Sequence, residues 1–475
     1  MSNARLLGID VGTSVAKLAL FTETGDLLRT VARPLPLLHP APGQVEQDAT
    51  AVVAAVRDLI VEIDAERVDL VAITGQGDGC WLLDADGRPT RPAISWLDAR
   101  AAPTLQEWDR DGVSDAVYRI SGNALFPGAQ APILRWLDDH QPGELDRAST
   151  AAYCKDMLFQ QLTGVRATDT SDASLPFGDG AGGYSGQALK LTGLSHRANL
   201  LAPVVTPLPV GSLRSGFGLP AETTVVAAPF DMPCCSAGGG VREVGDGLLT
   251  VGTTLSSQVL VDRIDAGGEP AGMHLATADA DRWIRVMAAM VGTASMDWLL
   301  ALLGLRHDQI DAALEATTPG AGGVTALPYL APSGERAPFV DPAARGRFDG
   351  IALTTTREQL VRALCEGLAY AARQCLEAAG LTGRVVVCGG GTGSLPWLRT
   401  FASVLGRPLE IARSPEVGAR GAVISALLAT GQPVDVATWT RPEQVVEPDL
   451  VAVYEDGYLD YLRRQQDARA LWQRR

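Results

Sequence analysis

Lysine is almost missing from this chain of 475 residues: Lys17, Lys155 and Lys190 are the whole complement. A Walker phosphate loop needs a lysine directly after a glycine, and none of the three follows one, so that nucleotide-binding device is excluded. Histidine is scarce as well. His39, His140, His196, His274 and His307 all lie outside the glycine-rich loops described below, so a histidine base is not the leading idea. The seven cysteines are odd in number and form no Cys-x-x-Cys pair, which reads as buried free thiols rather than disulfides or zinc ligands. No stretch reaches ~18 uninterrupted apolar residues, and the first residues run into a strand rather than into a basic, apolar and cleavable series. The expectation is a cytoplasmic chain. Acidic residues outnumber basic ones 55 to 40, and the net charge of −15 disfavours nucleic acid or an anionic membrane as partner.

Other signatures fail too. Gly389-x-Gly391 is followed by Ser394, and Gly391-x-Gly393 by Pro396, so neither completes a dinucleotide fingerprint, and the His-Arg-Asp and Asp-Phe-Gly signatures of protein kinases are absent. What is present occurs twice. Leu6 to Val11 breaks into Gly12-Thr13-Ser14 and resumes as Val15 to Phe21; Leu248 to Val251 breaks into Gly252-Thr253-Thr254 and resumes as Leu255 to Val261. The two glycines are 240 residues apart, as are Thr13 and Thr253. A strand, a Gly-Thr turn and a returning strand form a hairpin that offers backbone N–H groups and hydroxyls to an anion. Two such hairpins could grip one polyphosphate.

The length exceeds what one hydrophobic core usually supports, so two domains are expected, residues 1–241 and 242–475, each opening on its hairpin. Residues 5 to 33 read as a three-stranded meander and 49 to 64 as a helix. Val68 to Thr74 reads as a strand ending in Gly75-Gln76-Gly77-Asp78-Gly79, a strand end being where α/β proteins put ligand groups. Residues 175 to 218, rich in Gly, Pro and Ser, read as long surface connections. In the second half Glu358 to Ala379 has helical periodicity, and Arg384 to Val387 is a strand running into Cys388-Gly389-Gly390-Gly391-Thr392-Gly393-Ser394. A last helix from about Gly457 to Trp472 reads as peripheral.

Elimination leaves the duplicated architecture of sugar kinases, actin and the Hsp70 chaperones. Ile9-Asp10-Val11-Gly12-Thr13-Ser14, Gly252-Thr253-Thr254, Gly334-Glu335-Arg336-Ala337-Pro338, Ala344-Arg345-Gly346, Arg362-Ala363 with Glu366-Gly367, and Gly389-Gly390-Gly391 with Ser394 and Trp397 follow in an order that resembles the FGGY carbohydrate kinases across nearly the whole chain. The resemblance implies an α/β fold of two ribonuclease H-like domains with ATP and sugar in a cleft between them. It assigns the sugar to the N-terminal domain and the nucleotide to the C-terminal one.

Phosphoryl transfer to an alcohol needs a magnesium-bound polyphosphate, donors for its charge and a base for the hydroxyl proton. Asp10, closing the first strand, suits Mg²⁺, which takes carboxylate oxygen and keeps much of its water; an Asp before a Gly region is otherwise a turn former. By resemblance Asp231 is the catalytic base and shares the metal. Ala228 stands where the family's Gly-x-x-Asp pattern has glycine, and an Asp preceding a helix is otherwise a cap. Gly12, Thr13, Ser14 and Lys17 in the first hairpin, and Gly252 and Thr253 in the second, are the candidate phosphate contacts, Lys17 being equally readable as a solvated strand residue. The loop of Gly389, Gly390, Gly391 and Ser394 binds adenosine by resemblance.

For the sugar, the resemblance points to Gly77 and Asp78, with Trp96 as an apolar wall and Asp98 as a second hydroxyl acceptor. A carboxylate at Asp78 can take two adjacent hydroxyls, although the residue also reads as a turn former between glycines. The Gly77-Asp78-Gly79-Cys80-Trp81 and Trp96-Leu97-Asp98-Ala99-Arg100 segments look most like the erythritol kinase and L-xylulose kinase branch. The expected activity is phosphorylation of a primary hydroxyl of a small polyol, erythritol first, with L-xylulose or D-xylulose as the alternative acceptor and a non-catalytic actin- or Hsp70-type module as a remote one. Homodimers are frequent in the family, and no interface is legible here.

Overall fold

Three strands open the chain in the computed structural model, which describes residues 5–64, 67–221, 223–413 and 416–472. β1 (Arg5–Val11) turns at Gly12 into β2 (Val15–Thr22), and Gly25, with φ at +80°, turns that strand into β3 (Leu27–Pro34), the meander expected from the sequence. α1 (Ala49–Glu62) begins at Asp48, whose carboxylate accepts from the N–H groups of Thr50 and Ala51 at 2.9 and 3.0 Å, a cap worth about 1 kcal/mol. β4 (Leu70–Gly75) lies parallel to β1, and after α2 (Cys154–Thr163) come β5 (Val210–Ser212), β6 (Thr224–Ala227) and α3 (Asp231–Gly239). The sheet order is β5-β6-β4-β1-β2-β3.

Because β6, β4 and β1 are parallel, Ala227, Gly75 and Val11 finish on one edge. The residues beyond that edge are the ones singled out above: Asp10 and the hairpin, the Gln76–Gly79 loop, and Asp231. Alternation along the strands supplies the two faces. Leu7, Ile9, Val11, Val71 and Ile73 pack with Val52, Val56 and Leu59 of α1 and with Met157 and Phe159 of α2.

The second hairpin is β7 (Gly247–Val251) and β8 (Leu255–Val261), antiparallel around Gly252. β9 (Trp283–Ala289) and α4 (Arg357–Ala379) follow, the helix held by a reciprocal cap: Thr356 N–H donates to Gln359 Oε1 at 2.9 Å and Gln359 N–H to Thr356 Oγ1 at 3.3 Å. β10 (Val385–Cys388) is parallel to β7, and α5 (Leu395–Leu405) leads to β11 (Leu409–Ile411). With β12 (Gln444–Val446) the strand run is β9-β8-β7-β10-β11-β12, so the central topology of the first sheet recurs.

Compact units cut across the linear order. One comprises Met1–Gly238, Asp262–Ile284 and Glu416–Thr440; the other Gly239–Val261, Arg285–Pro415 and Arg441–Arg475. The late return to the first unit is α6 (Val417–Ala429), whose Ala419, Ala422, Val423 and Ile424 cover the sheet face formed by Leu6, Ala19, Phe21, Leu70, Ala72 and Val226. Two contacts there tolerate glycine only. A Cβ on Gly8 would come within 2.5 Å of the Ala419 carbonyl oxygen, and one on Gly421 within 1.8 Å of the Cys234 carbonyl oxygen, where α6 crosses α3.

Two expectations are corrected. Residues 175 to 218 are not a surface connection: Phe177, Leu189, Leu194, Leu200, Leu208 and Phe217 are buried, because that segment carries short elements whose apolar residues close the sides of the first unit. The last helix, α7 (Val451–Trp472), starts earlier than expected and is not peripheral, since Tyr454, Tyr458, Tyr461, Gln465, Ala468 and Trp472 are buried in the second unit's core. Among the described residues no helix is long and apolar enough to cross a membrane.

Candidate active site

Asp10 stands directly opposite Lys17 in the β1–β2 register, which puts both side chains on one face. Lys17 Nζ is in turn 3.4 Å from Glu416 Oε2 at the start of α6. Burial is the larger influence on Asp10 and pushes its pKa up to about 6, with Lys17 opposing and Glu416 adding to the rise. The carboxylate sits against the first turn of α6, where a Cβ on Gly418 would come within 2.3 Å of Asp10 Oδ2. Gly418 therefore keeps the space that the carboxylate occupies.

Asp231 is the first residue of α3, with an acidic side chain in the first turn, where the helix dipole favours it. Burial nevertheless wins. Its pKa rises to about 8, first through desolvation and next through the charge of Asp10, while the Met232 N–H lowers it and Asp78 adds a further rise. The Oδ1 atom is buried with no hydrogen-bond partner, the state of an acceptor awaiting a donor. The loop leading to it is tied down: Phe230 N–H donates to Ser171 Oγ at 2.9 Å, and Thr74 Oγ1 donates to the Pro229 carbonyl at 2.7 Å.

Asp78 is buried with φ at +55°, a left-handed turn conformation between two glycines. Gly79 also has positive φ, and a Cβ there would meet the Ile94 carbonyl oxygen at 2.6 Å. The turn is braced by Gln76, whose Nε2 donates to Gln47 Oε1 at 2.9 Å; Gln47 Nε2 donates to the Thr13 carbonyl at 2.9 Å. Tyr153 is buried beside it, its hydroxyl pKa raised by burial and then by Asp78 and Asp172, so the phenol stays protonated. A shallow recess with room for little more than a water is lined by Asp78 with Asn123, Leu125, Phe126, Leu175 and Met273.

Trp96 reaches the first hairpin, its Nε1 donating to Thr13 Oγ1 at 2.8 Å. Asp98 is otherwise engaged. Its Oδ2 accepts from Val45 N–H at 2.6 Å and Arg100 Nη2 at 2.9 Å, and its Oδ1 from Arg100 N–H at 2.8 Å and Nε at 2.9 Å. Those four bonds fill a carboxylate's acceptor positions, so a substrate hydroxyl would have to displace one of them.

In the second unit, the β7–β8 hairpin is secured from behind: Gly292 N–H donates to the Thr253 carbonyl and Thr293 N–H to the Gly252 carbonyl, both at 2.8 Å. The Gly334–Pro338 segment explains itself here, because Glu335 Oε1 accepts from Met290, Arg336 and Ala337 N–H groups and so anchors the chain that braces this hairpin. Gly389, with φ at +98°, and Gly391 fold back on Val251, where Cβ atoms would come within 2.6 Å of its carbonyl and 2.3 Å of Cγ1. Gly390 and Gly393 face open space. Ser394 caps α5, accepting from Trp397 N–H, and its hydroxyl donates to Asp311.

Sequence reasoning missed a buried ionic cluster. Lys155 Nζ lies 2.7 Å from Asp156 Oδ1, 2.7 Å from Asp169 Oδ1 and 2.9 Å from Asp172 Oδ2, all four side chains essentially without solvent. Burial raises the pKa of Asp156 and Asp172, while the three carboxylates outweigh desolvation at Lys155 and keep it charged. A Lys155-Asp156 pair opening α2, in a chain with three lysines, was the available signal.

A β-hairpin with a Gly-Thr turn, repeated in two mixed sheets and backed in each by helices, is the fold of the sugar kinases of the actin and Hsp70 type. Residues 5–236 match the N-terminal domain, and residues 249–430 the C-terminal domain, of the FGGY family of carbohydrate kinases, and the chain belongs to that family. An erythritol kinase of Brucella abortus (strain 2308) is 32% identical over 473 residues, spanning 92% of this chain and 90% of the relative. The xylulose kinase of Escherichia coli (strain K12) is 29% identical over 486 residues, 98% of each chain. Among solved structures, a xylulose kinase from Rhodospirillum rubrum superposes with a TM-score of 0.89 at 26% identity, covering 99% of this chain and 100% of its own.

Proposed function

We propose that this carbohydrate kinase phosphorylates a primary hydroxyl of a small polyol, erythritol foremost, with Asp231 as its general base. The observation that carries this reading is the buried, unpartnered Oδ1 of Asp231 at the edge where β1, β4 and β6 end, beside Asp10 and Asp78. A carboxylate with its pKa pushed up to about 8 is matched to taking a proton near neutrality, an effect typically worth about 10²- to 10⁴-fold in rate. Asp78 is the acceptor for neighbouring hydroxyls. Tyr153, kept protonated beside it, supplies a donor. Asp98, with its acceptor positions taken, holds Arg100 and the backbone at Val45 in place.

The residues fit ATP and Mg²⁺. Mg²⁺ is usually held by one or two carboxylates and its own waters, and Asp10 and Asp231 are two carboxylates close enough that the charge of Asp10 raises the pKa of Asp231. Asp10, with Asp231 next to it, is the pair that would hold it. We assign phosphate contacts to Thr13 and Ser14 and to Gly252 and Thr253, and the nucleoside to the loop of Gly389, Gly390 and Gly391, where a Cβ on Gly389 or Gly391 would clash with Val251. When bound, MgATP supplies the phosphoryl group and neutralises its charge. We assign the acceptor to residues 1–241 and the nucleotide to 242–475.

A coupled ADP-release assay across tetritols, pentitols, glycerol, L-xylulose and D-xylulose tests the reading. Highest kcat/KM with erythritol supports it; highest kcat/KM with a pentulose keeps the base and replaces the acceptor; no turnover with any of them removes the assignment.

A further inference from the structure

Gly77 and Phe230 precede the two acidic residues of the proposed acceptor site, Asp78 and Asp231, and they touch. A Cβ on Gly77 would lie 2.6 Å from Phe230 Cε2, 2.7 Å from Cδ2 and 3.1 Å from Cζ, so the ring fills the volume a side chain at position 77 would need. The ring cannot easily swing aside. Phe230 is 3% exposed, and its backbone N–H is fixed to Ser171 Oγ at 2.9 Å. On the other side, Asp78 is held in a left-handed turn by the close approach of Gly79 to Ile94.

We propose that the Phe230 ring, seated on Gly77, is the specificity-determining element of this kinase: it acts as a spacer that sets the gap between Asp78 and Asp231 and thereby the length of acceptor that bridges them. This rests on the reading of Asp231 as base and Asp78 as hydroxyl acceptor. A polyol must offer one hydroxyl to Asp231 and others to Asp78 at once, so the gap counts carbons. A rigid aromatic wedge holds that gap better than a flexible side chain, because it loses little rotational freedom on burial. A single methylene in an apolar pocket changes discrimination by about 10- to 200-fold, so removal of a whole ring is a large perturbation on this scale.

The experiment measures kcat/KM of wild type, Phe230→Leu, Phe230→Ala, Gly77→Ala and the double variant Gly77→Ala with Phe230→Ala, using erythritol, a pentitol and D-xylulose at saturating MgATP, with KM for ATP recorded for each. Phe230→Ala is expected to raise the ratio of five-carbon to four-carbon acceptors by at least about 10-fold, the low end for one methylene, with KM for ATP unchanged. Phe230→Leu, which keeps most of the volume, shifts it less and guards against a variant that does not fold. Gly77→Ala alone loses activity with every acceptor, and the double variant regains it, since the added methyl then occupies the vacated space. An unchanged acceptor ratio in folded Phe230→Ala and Phe230→Leu, in an enzyme whose wild type is active, overturns the spacer. So does a double variant no better than Gly77→Ala. A wild type inactive on all three acceptors instead sinks the underlying reading of the acceptor site, and the spacer with it.

Discussion

Asp231→Asn is expected to lower turnover by about 10²- to 10⁴-fold and to stabilise the protein, and the stabilisation has a pH signature. The side chain's pKa moves from an ordinary 3.8 to about 8 in the folded protein. Between those values the folded chain holds a proton that the unfolded chain has released, so wild-type stability falls as pH rises, by about 1.4 kcal/mol per pH unit. This is the reverse of a salt-bridged carboxylate. At pH 7 the cost reaches at most roughly 4 kcal/mol, and above pH 8 it stops growing. Asparagine keeps the shape and removes the titration. The assay is urea unfolding of both proteins, followed by tryptophan fluorescence at pH 5, 6, 7 and 8. The free-energy difference in favour of the variant should widen steadily over that range and level off beyond it. A difference that is flat with pH, or a wild type more stable than Asp231→Asn at pH 7, would refute the claim that this carboxylate is held protonated by its surroundings.

The same group governs rate. The acid limb of kcat/KM should rise with pH toward an apparent pKa near 8 at low Mg²⁺ and move to lower pH as Mg²⁺ is raised, because a cation beside Asp10 and Asp231 favours both ionised forms; a limb indifferent to Mg²⁺ argues that the metal is held elsewhere. Lys155→Met leaves three carboxylates buried together and should destabilise by about 3 kcal/mol at pH 7, less at pH 5 where Asp156 and Asp172 accept protons more readily, as read from denaturation midpoints. Asp98→Ala leaves buried Arg100 with Glu46 as its remaining carboxylate partner and frees the Val45 N–H, and should cost about 2 kcal/mol of stability. A loss of kcat/KM in Asp98→Ala at unchanged stability would instead make that residue a substrate ligand.

The elements visible in the sequence were those with a local cause. Gly12-Thr13 and Gly252-Thr253 interrupt alternating strands, so both hairpins could be read from pattern alone, whereas Asp231 was reached by family resemblance and the parallel strands that bring it to one edge with Asp10 and Asp78 came with the structure. What stayed hidden depends on residues far apart in the chain. The requirement for glycine at 421 exists because Cys234 crosses there, and the partners of Lys155 include Asp169 and Asp172, which nothing in the composition of α2 announces. Asp98 shows what pattern leaves out: an acidic residue in a suggestive Trp-Leu-Asp-Ala-Arg string accepts hydrogen bonds from the arginine two positions on, a local pairing the string does not announce. The burial of 175 to 218 was masked by its Gly, Pro and Ser content, which describes the turns between its apolar residues and says nothing of where those residues go.

The late position of α6 has a consequence for how the protein is made. The sheet face of Leu6, Phe21, Leu70 and Val226 is complete as a surface once β6 has been synthesised, yet its covering helix begins only at Val417. At ordinary elongation rates of 5–20 residues per second, the ribosome takes roughly ten to forty seconds to reach it. Throughout that interval the nascent first unit presents an uncapped apolar sheet, a surface fit for a holdase chaperone. A premature stop anywhere between residues 240 and 416 would leave a chain that carries Asp10, Asp78 and Asp231 but lacks the helix needed to close the layer behind them.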